Sequence, residues 1–459
     1  MQRVDEAEAS TLRLQQENRK LKQELRLVKK ENVKLKAKLS KYETPKHSGN
    51  SSVPPSRDEN RSPGRQSLRE RSGKRPGGQP GHEGHTLRMS AHPDQLIEHI
   101  PQYCHHCGAD LSGASGECVG RRQVVDIPPI RPVYTEHRIY RKQCPCGHAT
   151  EGSFPHGVRR PVSYGSRMEG LIGYLHSRQF LPLGRMREFF HDVFSLPVSE
   201  GGLCHILNRI TRKAMPVYGW IRQRIAQSGV VGADETGAKV NGKRHWFWTW
   251  QNSMLTFIAA SAGRGGDTIT QHFNRGFPKS ILVHDCWKPH FQTPAKDHQL
   301  CIAHLLRELK YLQERYKDPW PGEFKTRLTQ AIGLKKQMHP QEDDCPDTPP
   351  SRIEKAVDDL LNRDINPEHQ ELVTFKKRMV KYRPYLFTFL HHPKVPPDNN
   401  GSERAIRNIK VKHKVSGQFK TAGGAQQFAV LRSVTDTAIK NGQNVLHALT
   451  LIAKGYETE

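Results

Sequence analysis

Val230-Val231-Gly232-Ala233-Asp234-Glu235-Thr236 is a run of β-branched and small residues that ends in two acids, and its reading decides the fold. It reads as a buried strand, and the next two apolar runs repeat the pattern. His245-Trp246-Phe247-Trp248-Thr249-Trp250 and Met254-Leu255-Thr256-Phe257-Ile258-Ala259-Ala260 read as two more strands, joined by a turn at Gln251-Asn252-Ser253 into a meander. A polar, glycine-rich stretch with a short helix, Gly265 to Phe273, leads to a fourth strand, Ser280 to Asp285, and His298 to Cys301 offers a fifth. The fourth strand also ends in an acid, Asp285. Two carboxylates held close together are costly unless divalent cations offset their repulsion, so Asp234 and Asp285 point to Mg²⁺ or Mn²⁺ rather than to stability.

A third acid lies much further on. Pro396-Pro397-Asp398-Asn399-Asn400-Gly401-Ser402 breaks the chain, and Glu403-Arg404-Ala405-Ile406-Arg407-Asn408-Ile409 opens a helix with Ile406 and Ile409 on one side. Glu403 sits in the first turn, where the helix dipole favours any carboxylate, so alone it is an ordinary helix charge. Joined to two strand-end aspartates it completes a candidate metal site of Asp234, Asp285 and Glu403. The gap from Asp285 to Glu403 is more than twice that from Asp234 to Asp285, more than one strand and one helix require. A helical insertion fills it: Leu305 to Tyr316 and much of Ser351 to His391 look helical, around a polar, proline-containing loop from His339 to Pro350. Cys301 and His304 lie a turn apart where the insertion begins. Core packing is the simpler account of that pair, since no second ligand pair is visible.

Bulk properties set the partner. The 459 residues can carry two to four domains, and 26% charged residues with a mean hydropathy of -0.75 leave no room for a membrane span. Lys and Arg outnumber Asp and Glu 72 to 46, a formal net charge of +26, which favours a polyanion, with nucleic acid the default. Nine cysteines without a signal peptide argue for a reducing, cytoplasmic setting and for metal sites rather than disulfides.

Upstream of the strands the chain divides by composition. Leu14, Leu21, Val28, Leu35 and Tyr42 recur every seven residues, with Thr11, Asn18, Leu25, Asn32 and Leu39 on the companion row. This predicts a parallel two-stranded coiled coil over residues 1–43 and hence a homodimer; a single solvated helix is the alternative. Residues 44–92 are rich in proline, glycine, serine and arginine, a basic linker that is either a spacer or a phosphate-tracking arm. Cys104-His105-His106-Cys107-Gly108 and Cys144-Pro145-Cys146-Gly147-His148 then flank a β-like segment, Gln123 to Lys142. The two pairs read as a four-thiolate structural zinc site within 93–152, in which Cys118 or His148 could replace one ligand. In 153–229, Tyr164 to Gln179 is helical, and Gly184 to Val193, Leu196-Pro197-Val198-Ser199 and Gly202 to Ile210 suit either a helix-turn-helix or a packed α-hairpin.

In order and over nearly the whole chain, several motifs together resemble the transposases of the insertion sequence 66 family. They are Gly78-Gln79-Pro80-Gly81-His82-Glu83-Gly84-His85, the two cysteine knuckles, Ala233-Asp234-Glu235-Thr236, His284-Asp285-Cys286-Trp287, Cys301-Ile302-Ala303-His304 and Asn399-Asn400-Gly401-Ser402-Glu403-Arg404-Ala405. The resemblance implies a DDE transposase with a ribonuclease-H-like mixed sheet, in which the first and fourth strands are neighbours and Asp234, Asp285 and Glu403 hold the metal. It also implies small accessory proteins from the same element. The core is then 230–300 and 396–459, interrupted by the insertion at 301–395. The basic run Lys410-Val411-Lys412-His413-Lys414-Val415-Ser416-Gly417 departs from the family's usual sequence but stays suited to DNA-backbone contact. Two Mg²⁺ ions at such a site serve strand cleavage at the element ends and then strand transfer to target DNA. The competing functions are a zinc-containing DNA-binding repressor without catalysis and a nuclease of the same fold that only hydrolyses.

Overall fold

The computed structural model describes residues 2–43, 45–47, 50–51, 77–84, 86–155, 158, 160–337 and 349–455. Most of the expected linker, His85 and nearly all of the expected polar loop, residues 338–348, therefore lie outside the described residues. The chain begins with one helix, α1 (Gln2–Glu43), uninterrupted by proline or glycine and rich in strong helix formers. Leu14, Leu21, Leu25, Val28, Leu35 and Leu39 are each more than half exposed, so a single chain leaves its apolar rows in water. The segment just after α1 is not wholly a spacer. Lys46 pairs with Glu371 at 3.5 Å and lies over the Tyr311 ring, and the buried Asn50 donates to Glu314 at 3.0 Å.

The cysteine-bearing unit contains a single hairpin, β1 (Arg141–Gln143) with β2 (Ala149–Glu151), and its turn carries Cys144 and Cys146. The β-like segment expected from Gln123 to Lys142 forms no strand before Arg141. Among the described residues, no hydrophobic side chain from 77 to 165 is buried, so this unit has no apolar core to hold it together.

Three helices come next: α2 (Ser166–Ser177), α3 (Leu183–Phe194) and α4 (Glu200–Ala226). The Ser199 hydroxyl caps α4 by accepting the Gly202 N–H at 3.0 Å. The second helix runs well past Ile210, however. Its row of Leu203, Ile206, Leu207, Ile210, Ala214, Tyr218, Ile221 and Ile225 is buried in the main core beneath the sheet. That is a core helix carrying a short helix on its N-terminal end, closer to the α-hairpin than to a free recognition unit.

The sheet has five strands: β3 (Val230–Val240), β4 (Lys243–Gln251), β5 (Thr256–Ser261), β6 (Phe277–His284) and β7 (Ala295–Leu300), in the order β5-β4-β3-β6-β7. β3, β4 and β5 form the antiparallel meander, while β6 and β7 add in parallel beside β3. Between them lie α5 (Gly266–His272) and the short α6 (Lys288–Gln292). A mixed sheet of this order fits a ribonuclease-H-like transposase core. β3 outlasts its expected end because Asn241-Gly242, both at positive φ, makes the tight turn that returns the chain as β4.

The insertion comprises α7 (Ile302–Tyr316), α8 (Pro319–Gln337), α9 (Pro349–Asn362), α10 (Gln370–Lys381), a 3₁₀ turn at Arg383–Tyr385 and α11 (Thr388–His391). It has its own core around Trp320, Phe324, Leu328, Val357, Leu372 and Phe375, which continues onto Ile281, Val283 and Leu300 of the sheet. The sequence reading did not anticipate α8. Its prolines, Pro319 and Pro321, look like breakers but fall in the first turn, where proline is tolerated. The chain closes with α12 (Asn400–Ser416), α13 (Ala422–Lys440) and α14 (Val445–Lys454). α12 begins before Glu403 and buries Ser402, Ala405, Ile409 and Lys412, so its inner face differs from the expected Ile406 and Ile409 side. Lys412 donates to the Phe180 and Leu181 carbonyls and Lys410 to that of Gly237, so part of the run expected to face DNA serves the fold instead.

Candidate metal centre on the central sheet

Side chains alternate across a strand, and β3 uses both sides. Val231 and Ala233 point into the main core, so Gly232 and Asp234 point to the opposite face. On β6, Leu282 joins the main core while Ile281 and Val283 face the insertion side. Val230 lies opposite Ile281 and Gly232 opposite Val283. Continuing that parallel register by two residues sets Asp234 beside Asp285, one position past the end of β6 and on the same face. A one-residue slip of either strand would separate them.

Glu403 arrives from α12, and the loop before it is tied to this face. The Asn399 side chain donates to the Ala233 carbonyl at 2.7 Å and accepts from the Ser402 hydroxyl at 2.7 Å, while its backbone N–H donates to Cys301 Sγ at 3.2 Å. The Ile302 N–H donates to the Pro397 carbonyl at 2.9 Å. The docking is tight enough to demand glycine on both sides. A Cβ on Gly232 would sit 2.6 Å from Asn399 Oδ1, and one on Gly401 would collide with the Gln251 amide. Glu403 Oε1 accepts from Arg307 at 3.0 Å and lies 3.7 Å from His304 Nε2; Arg407 is 4.0 Å from Oε2. Although their carboxylate oxygens are not gathered within 4.8 Å of one another, the three acids the sequence singled out are near enough for Asp285 and Glu403 to act on Asp234. Burial, then the charges of Asp285, Glu235 and Glu403, push its carboxyl well above the usual carboxylate range, against the lowering effect of the Glu235 N–H. Asp285 is fixed by an N–H from Trp287 at 2.9 Å.

The opposite face handles its acid differently. Glu235 is buried, and Arg264 meets its Oε1 through Nε at 2.9 Å and Nη2 at 2.7 Å, while His290 Nε2 lies 3.1 Å from Oε2. Burial alone would raise the Glu235 pKa, but His290 and Arg264 outweigh it and leave the carboxyl below its ordinary value. The Arg264 guanidinium lies over two indoles, 4.6 Å from the Trp246 ring centre and 3.9 Å from that of Trp287. Sequence reasoning missed Arg264, His290, Arg307 and the docking role of Asn399. The glycine before Asp234 and the Asn-Asn-Gly-Ser run before Glu403 were the visible traces of the docking.

Each cysteine pair occupies its own tight turn. The Cys104 N–H reaches the Ala109 carbonyl and Gly108, at φ +75°, closes back on the Cys104 carbonyl; Cys144 and His148, with Gly147 at φ +85°, repeat the arrangement. N–H groups of Cys107 and His106 lower the Cys104 thiol pKa, and those around His148, with the Cys144 thiol, lower that of Cys146. The two pairs are not gathered into one cluster. Among the described residues, the group of His, Cys, Asp or Glu donors placed to hold a metal is Cys301, His304 and Glu403.

A five-stranded mixed sheet flanked by helices, with acids on adjacent strand positions, defines the class to which such a chain belongs. Comparison with known families gives the particular one: residues 161–427 match the Transposase IS66 family, and the chain belongs to it. It is therefore a transposase, and DNA is its partner. Residues 5–88 match a family of unknown function (DUF6444). No curated protein matches the chain. No described helix is long and apolar enough to cross a membrane.

Proposed function

We propose that this transposase cleaves and joins DNA through a DDE site in which Asp234, Asp285 and Glu403 hold Mg²⁺ or Mn²⁺, in the two-ion arrangement. The observation that carries the reading is the placement of Asp234 beside Asp285 on the face where Asn399 docks the start of α12. The donor set fits a hard divalent cation: all three are carboxylates, and the like charges around half-buried Asp234 call for positive charge. When bound, the ions would stabilise the attacking and leaving oxygens of an in-line phosphoryl displacement. The chain's own contribution is positional. The β3–β6 register sets the first two ligands, Trp287 holds Asp285 by its N–H, and Arg307 orients Glu403. The basic surface supplies sequence-independent DNA attraction.

In this reading Cys104, Cys107, Cys144 and Cys146 hold a structural zinc, for which the two turns, separate in this structure, would draw together. The unit lacks a buried apolar residue among those described, so the metal would supply its folding free energy. The exposed leucines of α1 form the seam of a parallel homodimer that keeps two element ends in one assembly, and small accessory proteins of the element complete it. Sedimentation of a chain with Leu21, Val28 and Leu35 changed to lysine tests the seam; persistent dimers rule it out.

The deciding experiment is strand cleavage and transfer on labelled element ends, with and without Mg²⁺. Metal-dependent joining that Asp234→Asn abolishes supports the proposal. Hydrolysis without joining would mean a nuclease, and end binding without either reaction a repressor.

A further inference from the structure

Cys301 and His304 looked like core packing in the sequence because no further ligand was in view, and the fold supplies one. Cys301 follows β7 directly as the N-cap of α7, His304 stands in the first turn of that helix, and α12 brings Glu403 against both. One donor atom from each residue lies within 4.8 Å of the other two.

The details of the three side chains favour a cation over simple packing. His304 Nδ1 is buried without a hydrogen-bond partner, and Nε2 stops 3.7 Å short of Glu403 Oε1, beyond hydrogen-bond distance. The imidazole is 22% exposed, and a cation between Nε2 and Glu403 Oε1 would give Nε2 a partner, with Nδ1 as the non-ligating nitrogen. Cys301 Sγ is fully buried and receives the Asn399 N–H at 3.2 Å, the kind of contact that stabilises a thiolate. Arg307 already holds the Glu403 carboxylate, as the hydrogen-bonding neighbours of metal ligands commonly do.

We propose that Cys301, His304 and Glu403 form a site for one thiophilic divalent cation of the zinc class, which shares Glu403 with the hard-cation site completed by Asp234 and Asp285. Tetrahedral zinc ligands sit roughly 3.5 Å apart, so a closure of about 1 Å completes three corners and leaves the fourth open. Burial pushes the Cys301 thiol up to about 12, so the cation itself drives off the proton on binding. Mg²⁺ is a poor occupant, because it prefers oxygen ligands in octahedral array. Filling the site draws on Glu403, so zinc inhibits the Mg²⁺-dependent reaction. That consequence, unlike the binding itself, rests on the DDE function proposed for this chain.

The test uses the full chain and Co²⁺ as a spectroscopic substitute for zinc, followed through the sulfur-to-cobalt charge-transfer band and by metal content per chain. Cys301→Ser should lose one tightly held equivalent together with part of the thiolate signal. His304→Ala should weaken that equivalent at least about tenfold. Cys104→Ser with Cys107→Ser should leave it in place. Cys301 is fully buried, so unfolding curves are recorded alongside; Glu403→Gln, a change in the first turn of a helix, gives an independent route if the serine variant fails to fold. Equal stoichiometry and affinity in the wild-type chain, His304→Ala and Glu403→Gln would overturn the site. A catalytically inert wild-type chain that still shows the His304-dependent equivalent would keep the site and sink the catalytic reading. Binding without zinc inhibition of an active chain would remove the proposed competition.

Discussion

Asp234 and Glu235 are neighbours on one strand, and the two faces of the sheet treat them in opposite ways. Glu235 is buried among partners: Arg264 and His290 neutralise it, and two indoles cover the guanidinium. Asp234 is half-buried among other acids, and its carboxyl is pushed up rather than held down. A carboxylate whose charge the fold satisfies is part of the structure. One that the fold surrounds with like charge implies a cation from outside the chain. The contrast is local, created by the two-residue period of a strand and by little else.

The largest effects should separate the two faces by readout. Asp234→Asn or Glu403→Gln should lower strand cleavage by at least about a thousandfold, with end binding and thermal stability close to wild type, since ligands of one metal centre act as a unit. Glu235→Gln should show the converse: a loss of about 1–3 kcal/mol in unfolding free energy, because the charge-assisted bonds from Arg264 and His290 are weakened while water screens the partly exposed guanidinium. Denaturant unfolding and a cleavage assay on the same preparations check both. Equal destabilisation by Asp234→Asn and Glu235→Gln would erase the distinction.

Gly232→Ala probes how the acids are brought together. Its Cβ would meet Asn399 Oδ1 at 2.6 Å and Ser402 Oγ at 2.9 Å, in the contact that seats α12 on β3. Overpacking of this kind costs about 1–3 kcal/mol, and the displaced α12 should lower cleavage well beyond what that loss of stability explains. A variant with reduced stability but full activity would show that the docking does not position Glu403.

The strands, the acids and the interruption before Glu403 were legible because each left a local signal: a β-branched run, an acid at its end, a gap too long for one crossover. What stayed hidden was non-local. Arg264 and His290 are unremarkable in sequence and gain meaning only where the chain brings them to Glu235. The pairing of Cys301 and His304 with Glu403 spans the whole insertion, and α8 was obscured by prolines whose position in the first turn is visible only once the helix is placed. The lysines of α12 misled for a related reason. A basic run reads as surface, yet a long aliphatic stem lets Lys412 reach inward and serve two carbonyls.

Lys412 supplies the smallest effect and extends the comparison to a buried cation. Its partners are the carbonyls of Phe180 and Leu181, at 3.3 Å and 3.1 Å, and burial lowers its pKa from 10.5 to about 8. The folded chain therefore releases this proton near pH 8, whereas the unfolded chain keeps it until near 10.5. Within that window the unfolded state binds more protons, so stability rises with pH, by at most about 1.4 kcal/mol per pH unit for one group. Lys440, lowered to about 8 by burial, acts in the same direction. The Cys286 and Cys301 thiols, raised from 9.0 to about 12 by burial, act in the opposite direction above pH 9. The clean interval is thus pH 8 to 9, and the clean quantity is the wild-type curve minus that of Lys412→Met. Unfolding free energies at half-unit steps should give a difference that climbs by about 1 kcal/mol across the interval. A flat difference would mean that Lys412 keeps its proton in the folded chain, and that carbonyl oxygens alone can hold a buried charge that the carboxylates around Asp234 cannot.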